Sequence, residues 1–146
     1  MPDATALGAL RLDHIGIATS DAAALAARLH AVLGLPTLGT GTAPDDGVRA
    51  TLLDTTTRDR LVAAPRLELL APVSASSPVA RFLARRGPGL HHLAFRVPDL
   101  DAALACLHAD GIPLLDRTPR TGLGGKRIAF LHPKACGGVL VELVEG

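Results

Sequence analysis

Aromatic residues are scarce in this chain of 146 residues, which contains no Trp, no Tyr and only three Phe. Such side chains usually form the platforms on which bases, sugar rings and planar drugs stack. A strong charge of one sign is absent too, because 15 Lys and Arg against 14 Asp and Glu leave a formal charge of +1. This balance argues against nucleic acid or a membrane as a partner. Shape, hydrogen bonds or a metal ion must therefore provide ligand recognition.

Cysteine and long apolar runs are also scarce. Cys106 and Cys136 are too few for a disulfide framework or a four-thiolate zinc site, and we interpret them as a helix-packing residue and a loop thiol. No segment is apolar over the length that a bilayer requires, and the first ten residues do not resemble a signal peptide. We therefore expect a cytoplasmic protein.

One sequence pattern occurs twice, at an offset of 78 residues. Residues 12–18 (LDHIGIA) resemble residues 90–96 (LHHLAFR), and the same offset aligns Asp21 with Asp99. Each copy predicts a strand, an Asp-capped helix that ends near a Gly (Gly34 or Gly111), and then a strand-rich segment. The predicted apolar helix stripes are Leu25, Leu29, Val32 and Leu33 in the first copy, and Leu100, Ala103, Leu104 and Leu107 in the second. The later predicted strands are residues 48–53, 67–70, 127–131 and 139–144.

These elements predict the α+β class in a single domain of residues 1–146. Two tandem βαβββ modules cover about residues 10–72 and 89–146, and a capped linker helix covers about residues 77–87. If the two sheets pair, they form a cupped, open barrel. Such a cup is a natural ligand site.

Two histidines and two glutamates are the candidate site residues. His14 and His92 are equivalent by the repeat, and Glu68 in LELL echoes Glu142 in VELV. A buried Glu on an aliphatic strand is costly unless it is paired or bound to a metal. A lone strand His is more often a core or surface residue, but its repetition beside a repeated Glu favours a divalent ion.

The other polar features have less specific interpretations. His91 must point away from the face of His92, so we interpret it as structural. His30 and His108 lie on predicted helices and are expected to be solvated or partly buried, whereas His132 could line the mouth of the cup. Residues 120–127 combine glycines with three cations, which fits either a phosphate-binding loop or a solvated hairpin turn.

Six motifs together resemble one known family over nearly the whole chain. They are LDHIGIA at 12–18, LELLAP at 67–72, SSPVA at 76–80, GLHHLAF at 89–95, GGKRIAFLHPK at 124–134 and GGVLVEL at 137–143. The family is methylmalonyl-CoA epimerase, of the vicinal oxygen chelate (glyoxalase) superfamily. The resemblance implies that superfamily's fold and one divalent ion at His14, His92 and Glu142, with Glu68 where the family has Gln or Glu. Cobalt is the expected ion, manganese, nickel, zinc and iron remain open, and a homodimer is expected.

The same resemblance implies an isomerase that interconverts (2R)- and (2S)-methylmalonyl-CoA through a metal-stabilised enolate. Glu142 and Glu68 would serve as catalytic acid and base. Ala50 stands where some bacterial relatives have the second acid/base, and alanine cannot transfer a proton. We expect the segment from Asp54 to Pro65 to form a loop or lid.

Three alternatives remain open. A cup of this kind could serve a lyase, a decarboxylase or a cyclase in secondary metabolism. A metal-free binding protein that confers resistance to a small molecule is a second alternative, although such binders usually use the aromatic walls that this chain lacks. Two His and one carboxylate on ferrous iron would suit an oxygenase.

Overall fold

The computed structural model of the chain describes residues 7–56 and 63–146. Among these residues there are two compact units, one formed by residues 14–56 and 63–91 and the other by residues 7–13 and 92–146. The predicted loop or lid lies in part outside the described residues, since these do not include residues 57–62. Within the described residues, no helix is both long and apolar enough to cross a bilayer.

The first βαβββ module continues into a further helix. Its elements are β1 (Arg11–Ala18), α1 (Ala22–Leu33), β2 (Thr37–Ala43), β3 (Val48–Leu53), β4 (Arg66–Pro72) and α2 (Pro78–Arg86). The strand order is β2-β3-β4-β1, with β1 parallel to β4 and the other pairs antiparallel. A helix is present where the linker helix is predicted: the Ser77 Oγ accepts the Val79 N–H at its start, and Gly87 ends it.

The second βαβββ module repeats the order of the first. Its elements are β5 (Gly89–Val97), α3 (Leu100–Ala109), β6 (Arg120–Thr121), β7 (Arg127–Leu131) and β8 (Val141–Glu145). The strand order is β5-β8-β7-β6, with β5 parallel to β8 and the other pairs antiparallel. The predicted α+β class, with two βαβββ modules, is confirmed.

Helix α3 buries the stripe that the sequence predicts. Its four residues Leu100, Ala103, Leu104 and Leu107 are all buried, and they pack against apolar side chains of β5, β7 and β8. The Asp99 carboxylate accepts the Ala102 N–H at 2.9 Å and so caps the first turn. The helix therefore lies on one face of the β5-β8-β7 sheet.

Helix α1 packs through alanines, and part of its predicted stripe is wrong. Ala22 and Ala26 are buried with Leu53 and Leu69, and Leu25 and Leu29 are only partly buried beside them. Val32 and Leu33 are 67% and 62% exposed. Leu33 has the angular position of the buried face, so its exposure means that the core ends before the last turn.

Candidate metal and substrate site

A buried His–Glu pair joins the parallel strands β1 and β4. Glu68 lies in register with Gly16, which shares a strand face with His14 and has no side chain to intervene. The Glu68 Oε2 is 3.3 Å from the His14 Nε2. Both residues are buried, so this carboxylate and imidazole are held away from bulk water.

A second buried His–Glu pair joins the parallel strands β5 and β8. Glu142 lies in register with Ala94, two residues after His92, and its Oε2 is 3.5 Å from the His92 Nε2. Both residues are again buried. The two pairs therefore have the same construction: a His on the first strand of a module, and a Glu on the parallel last strand, opposite the residue two positions beyond that His.

Each pair fits a divalent ion in donor type and in spacing. Imidazole nitrogen and carboxylate oxygen bind such ions at about 2.0–2.2 Å, and two donors around one ion are then about 3.0–3.5 Å apart. The observed separations of 3.3 and 3.5 Å match this spacing. The same contacts act as ion pairs when the imidazole is protonated.

Phe130 and Arg120 lie beside the second pair. Phe130 is in register with Glu142, and its ring meets the His92 imidazole edge-on, with centroids 5.5 Å apart at 87°. The Arg120 guanidinium lies over the Phe130 ring, 5.2 Å from its centroid. The Asp116 Oδ2 accepts both the Arg120 Nε–H at 3.1 Å and the Phe130 N–H at 2.8 Å. Asp116, Arg120 and Phe130 thus form a stacked group next to His92.

An apolar cluster continues the face of the second pair. Ala94, Ile128, Phe130 and Val144 are buried together, and Leu140 packs against them. The register places Ile128 opposite Val144 on the face that also bears Phe130 and Glu142. This face therefore combines two candidate metal donors, an apolar surface and a cation.

Comparison with known proteins assigns the family. Residues 13–130 match the family described as Glyoxalase/Bleomycin resistance protein/Dioxygenase superfamily. The chain belongs to this superfamily.

Three similar proteins within the superfamily include two methylmalonyl-CoA epimerases. The chain is 40% identical over 135 residues to the uncharacterised protein YqjC of Bacillus subtilis, covering 92% of this chain and 91% of that one. It is 35% identical over 136 residues to the human mitochondrial methylmalonyl-CoA epimerase, covering 92% of this chain and 73% of that one. A crystal structure of a Streptomyces coelicolor methylmalonyl-CoA epimerase variant with 2-nitronate-propionyl-CoA is 42% identical, with a TM-score of 0.85 and coverage of 93% and 94%. The predicted superfamily and its fold are confirmed.

In this chain, Ala50 lies on the same sheet face as Glu68. In the β3–β4 register Leu52 is opposite Glu68, and Ala50 shares the strand face of Leu52. Ala50 is fully buried. A methyl group, which cannot transfer a proton, therefore occupies this position.

The remaining histidines make structural contacts. The His91 ring meets Phe82 of α2 edge-on at 4.8 Å, and burial lowers the pKa of His91 below its ordinary value, which favours the neutral ring. The His132 Nδ1 accepts the Lys134 N–H at 3.1 Å and so caps a 3₁₀ turn. The His30 Nδ1 is 3.1 Å from the Leu35 carbonyl oxygen, and His108 is exposed.

The glycine-rich segment at 120–127 forms a hairpin between β6 and β7. The Gly122 N–H donates to the Lys126 carbonyl, and Gly124 has a positive φ of 68°. Arg127 binds Asp101 and Glu145, and these hydrogen bonds, with Asp101 the larger cause, raise the pKa of Arg127. The hairpin interpretation of this segment therefore agrees with its observed contacts.

Sequence reasoning missed two groups of residues. The Arg96 guanidinium pairs with Asp13, whose carboxylate is almost fully buried, and its Nε–H donates to the Asp13 Oδ1 at 3.2 Å. The Asp116–Arg120–Phe130 group was also missed. In the sequence, Asp13 is marked only by its position in a predicted strand. Arg120 is marked only as one of the three cations in the glycine-rich segment.

Proposed function

We propose that this chain is a methylmalonyl-CoA epimerase, an isomerase that interconverts (2R)- and (2S)-methylmalonyl-CoA. In this proposal His14, Glu68, His92 and Glu142 together hold one divalent ion. The observation that carries the proposal is the pair of matching His–Glu contacts, each buried and each spaced as metal donors are. Membership of the superfamily and the name of the human relative support the choice of substrate.

Epimerisation at C2 needs a base on one side of the carbon and an acid on the other. Glu142 and Glu68 are the carboxylates that we assign to these two roles. Both carboxylates are buried against a histidine, and a carboxylate held in this way can accept a proton and return it. When bound, the ion supplies positive charge that stabilises negative charge developing on the substrate oxygens.

The position of Ala50 decides the assignment of the second proton carrier. Because a methyl group occupies the place where some relatives have a carboxylate, Glu68 is the residue on that sheet face to which we assign the role. In the second module, the apolar cluster around Ala94 and Val144 keeps water away from the face that bears Glu142. Exclusion of water strengthens electrostatic interactions with the developing charge.

The proposal is tested by hydrogen exchange at C2 in deuterated water. Glu142→Gln keeps the size of the side chain and removes the proton acceptor, so we expect exchange to fall by about 10²–10⁴-fold. Mass spectrometry of methylmalonyl-CoA measures the exchange. Glu145→Gln, in the same strand, is the matched control and should retain it. Wild-type exchange rates in Glu142→Gln would exclude the assigned role.

A second candidate is a related superfamily enzyme, such as a lyase, a decarboxylase or a cyclase. Ala50 favours it, because the loss of a proton carrier fits a reaction that needs proton transfer on one side only. Wild-type protein that consumes methylmalonyl-CoA without C2 exchange would favour this candidate. Binding without any turnover or metal would favour a small-molecule binding protein. Cobalt, a homodimer and a cytoplasmic location stay predictions.

A further inference from the structure

We infer that Arg120 is a substrate-binding residue, which receives an oxyanion of the acyl-CoA beside the His92–Glu142 pair. The oxyanion is a carboxylate or a phosphate, and both occur in methylmalonyl-CoA. The inference rests on the proposed function for the class of substrate. It adds a specificity-determining residue that lies outside the set of metal donors.

The strand register places Arg120 on the face of Glu142. Arg120 is opposite Ile128, and Ile128 belongs to the cluster that contains Phe130. The side chain of Arg120 is 31% exposed, so a ligand on that face can reach it. Arg127 starts the next strand with the opposite alternation, and its partners are Asp101 and Glu145.

Two contacts orient the guanidinium of Arg120. Asp116 binds its Nε–H at 3.1 Å, and the Phe130 ring supports it at 5.2 Å. A pre-organised guanidinium loses less conformational entropy when it binds an anion. An arginine can bind more than one carboxylate, as Arg127 of this chain does with Asp101 and Glu145.

Charge on this face gives the physical reason for a cation. A methylmalonyl-CoA molecule that approaches His92 and Glu142 is an anion, so a cation on the same face attracts it. The Arg120 guanidinium is separated from His92 by one aromatic ring and supplies positive charge in addition to that of the proposed ion. The Phe130 ring lies between the guanidinium and the His92 imidazole. Arg120 can therefore attract the substrate without displacing this proposed metal donor.

Titration calorimetry on the full chain incubated with Co²⁺ tests this assignment, with methylmalonyl-CoA and propionyl-CoA as ligands. We expect Arg120→Gln to weaken binding of methylmalonyl-CoA about tenfold or more, as for loss of a charge-assisted hydrogen bond. Arg120→Lys should restore part of the loss. Arg117→Gln removes the same charge from an exposed residue nearby and should leave the Kd unchanged.

The two ligands identify the oxyanion. If only methylmalonyl-CoA binds more weakly to Arg120→Gln, Arg120 receives the acyl carboxylate; if both ligands do, it receives a CoA phosphate. A Kd within twofold of wild type for both ligands would overturn the inference, even if thermal stability falls. Equal weakening by Arg117→Gln, or no measurable binding of either ligand to wild type, would also overturn it. The titration reports the Kd whether or not the bound ligand is epimerised, so a failure of C2 exchange refutes the proposed function separately.

Discussion

Asp13 is a buried carboxylate whose arginine partner comes from a strand 83 residues away. Arg96→Met would leave this carboxylate without its main counter-charge, so we expect the free energy of unfolding to fall by about 1–3 kcal/mol. That range is below the value for a fully buried pair, because the Arg96 side chain is 42% exposed. Urea unfolding measures the change.

Two further variants make the Arg96 prediction specific. Asp13→Asn removes the buried charge itself, so its cost should be smaller than that of Arg96→Met. Arg49→Met changes an exposed strand arginine in the same way and should be close to neutral. Equal losses in Arg49→Met and Arg96→Met would contradict a specific role for the Asp13 pair.

Site residues that recur in both copies of the sequence repeat could be predicted, whereas contacts present in one copy could not. His14 and His92 were found because the repeat aligns them, and their glutamates because both lie in similar aliphatic strands. The same offset aligns Asp13 with His91 and Arg96 with Ala18, so it gave no indication of their ion pair. Contacts that only one module contains depend on tertiary structure.

At the scale of elements, α1 and α3 differ in how deeply their leucines are buried. Leu104 of α3 is 3% exposed in a packed cluster, so Leu104→Ala should lower the free energy of unfolding by about 2–5 kcal/mol. Leu33→Ala in α1 is the matched control, and we expect a change of less than about 0.5 kcal/mol because Leu33 is 62% exposed. Chemical denaturation measures both. A comparable loss in the two variants would show that the last turn of α1 is buried in solution.

Strands with apolar alternation or apolar runs were predicted well. The predicted ranges 48–53 and 127–131 coincide with β3 and β7, and the first strand of each module was found from the repeat. The bounds of β2 could not be predicted, because its sequence TLGTGTA contains one large apolar residue and is mostly exposed. Periodicity indicates a strand only where one face is buried.

At the scale of the whole molecule, the proposed function makes a prediction about stoichiometry. If one ion uses donors from both modules, then Co²⁺ loading followed by desalting should leave one ion per chain. His14→Ala and His92→Ala should then each abolish retention, because each removes a donor from the same ion. His108→Ala, at an exposed helix position, should retain the ion.

Elemental analysis and thermal unfolding together decide between one shared ion and two separate ions. At an ion concentration of about 100 Kd, binding to the folded state adds about 2.7 kcal/mol, which corresponds to a rise in Tm of about 5–11 °C. With a shared ion, both histidine variants lose the whole rise. With two separate His–Glu sites, wild type retains two ions, and each variant keeps one ion and part of the rise. The second result would refute the shared site, because each ion would then be held by one His–Glu pair independently of the other pair.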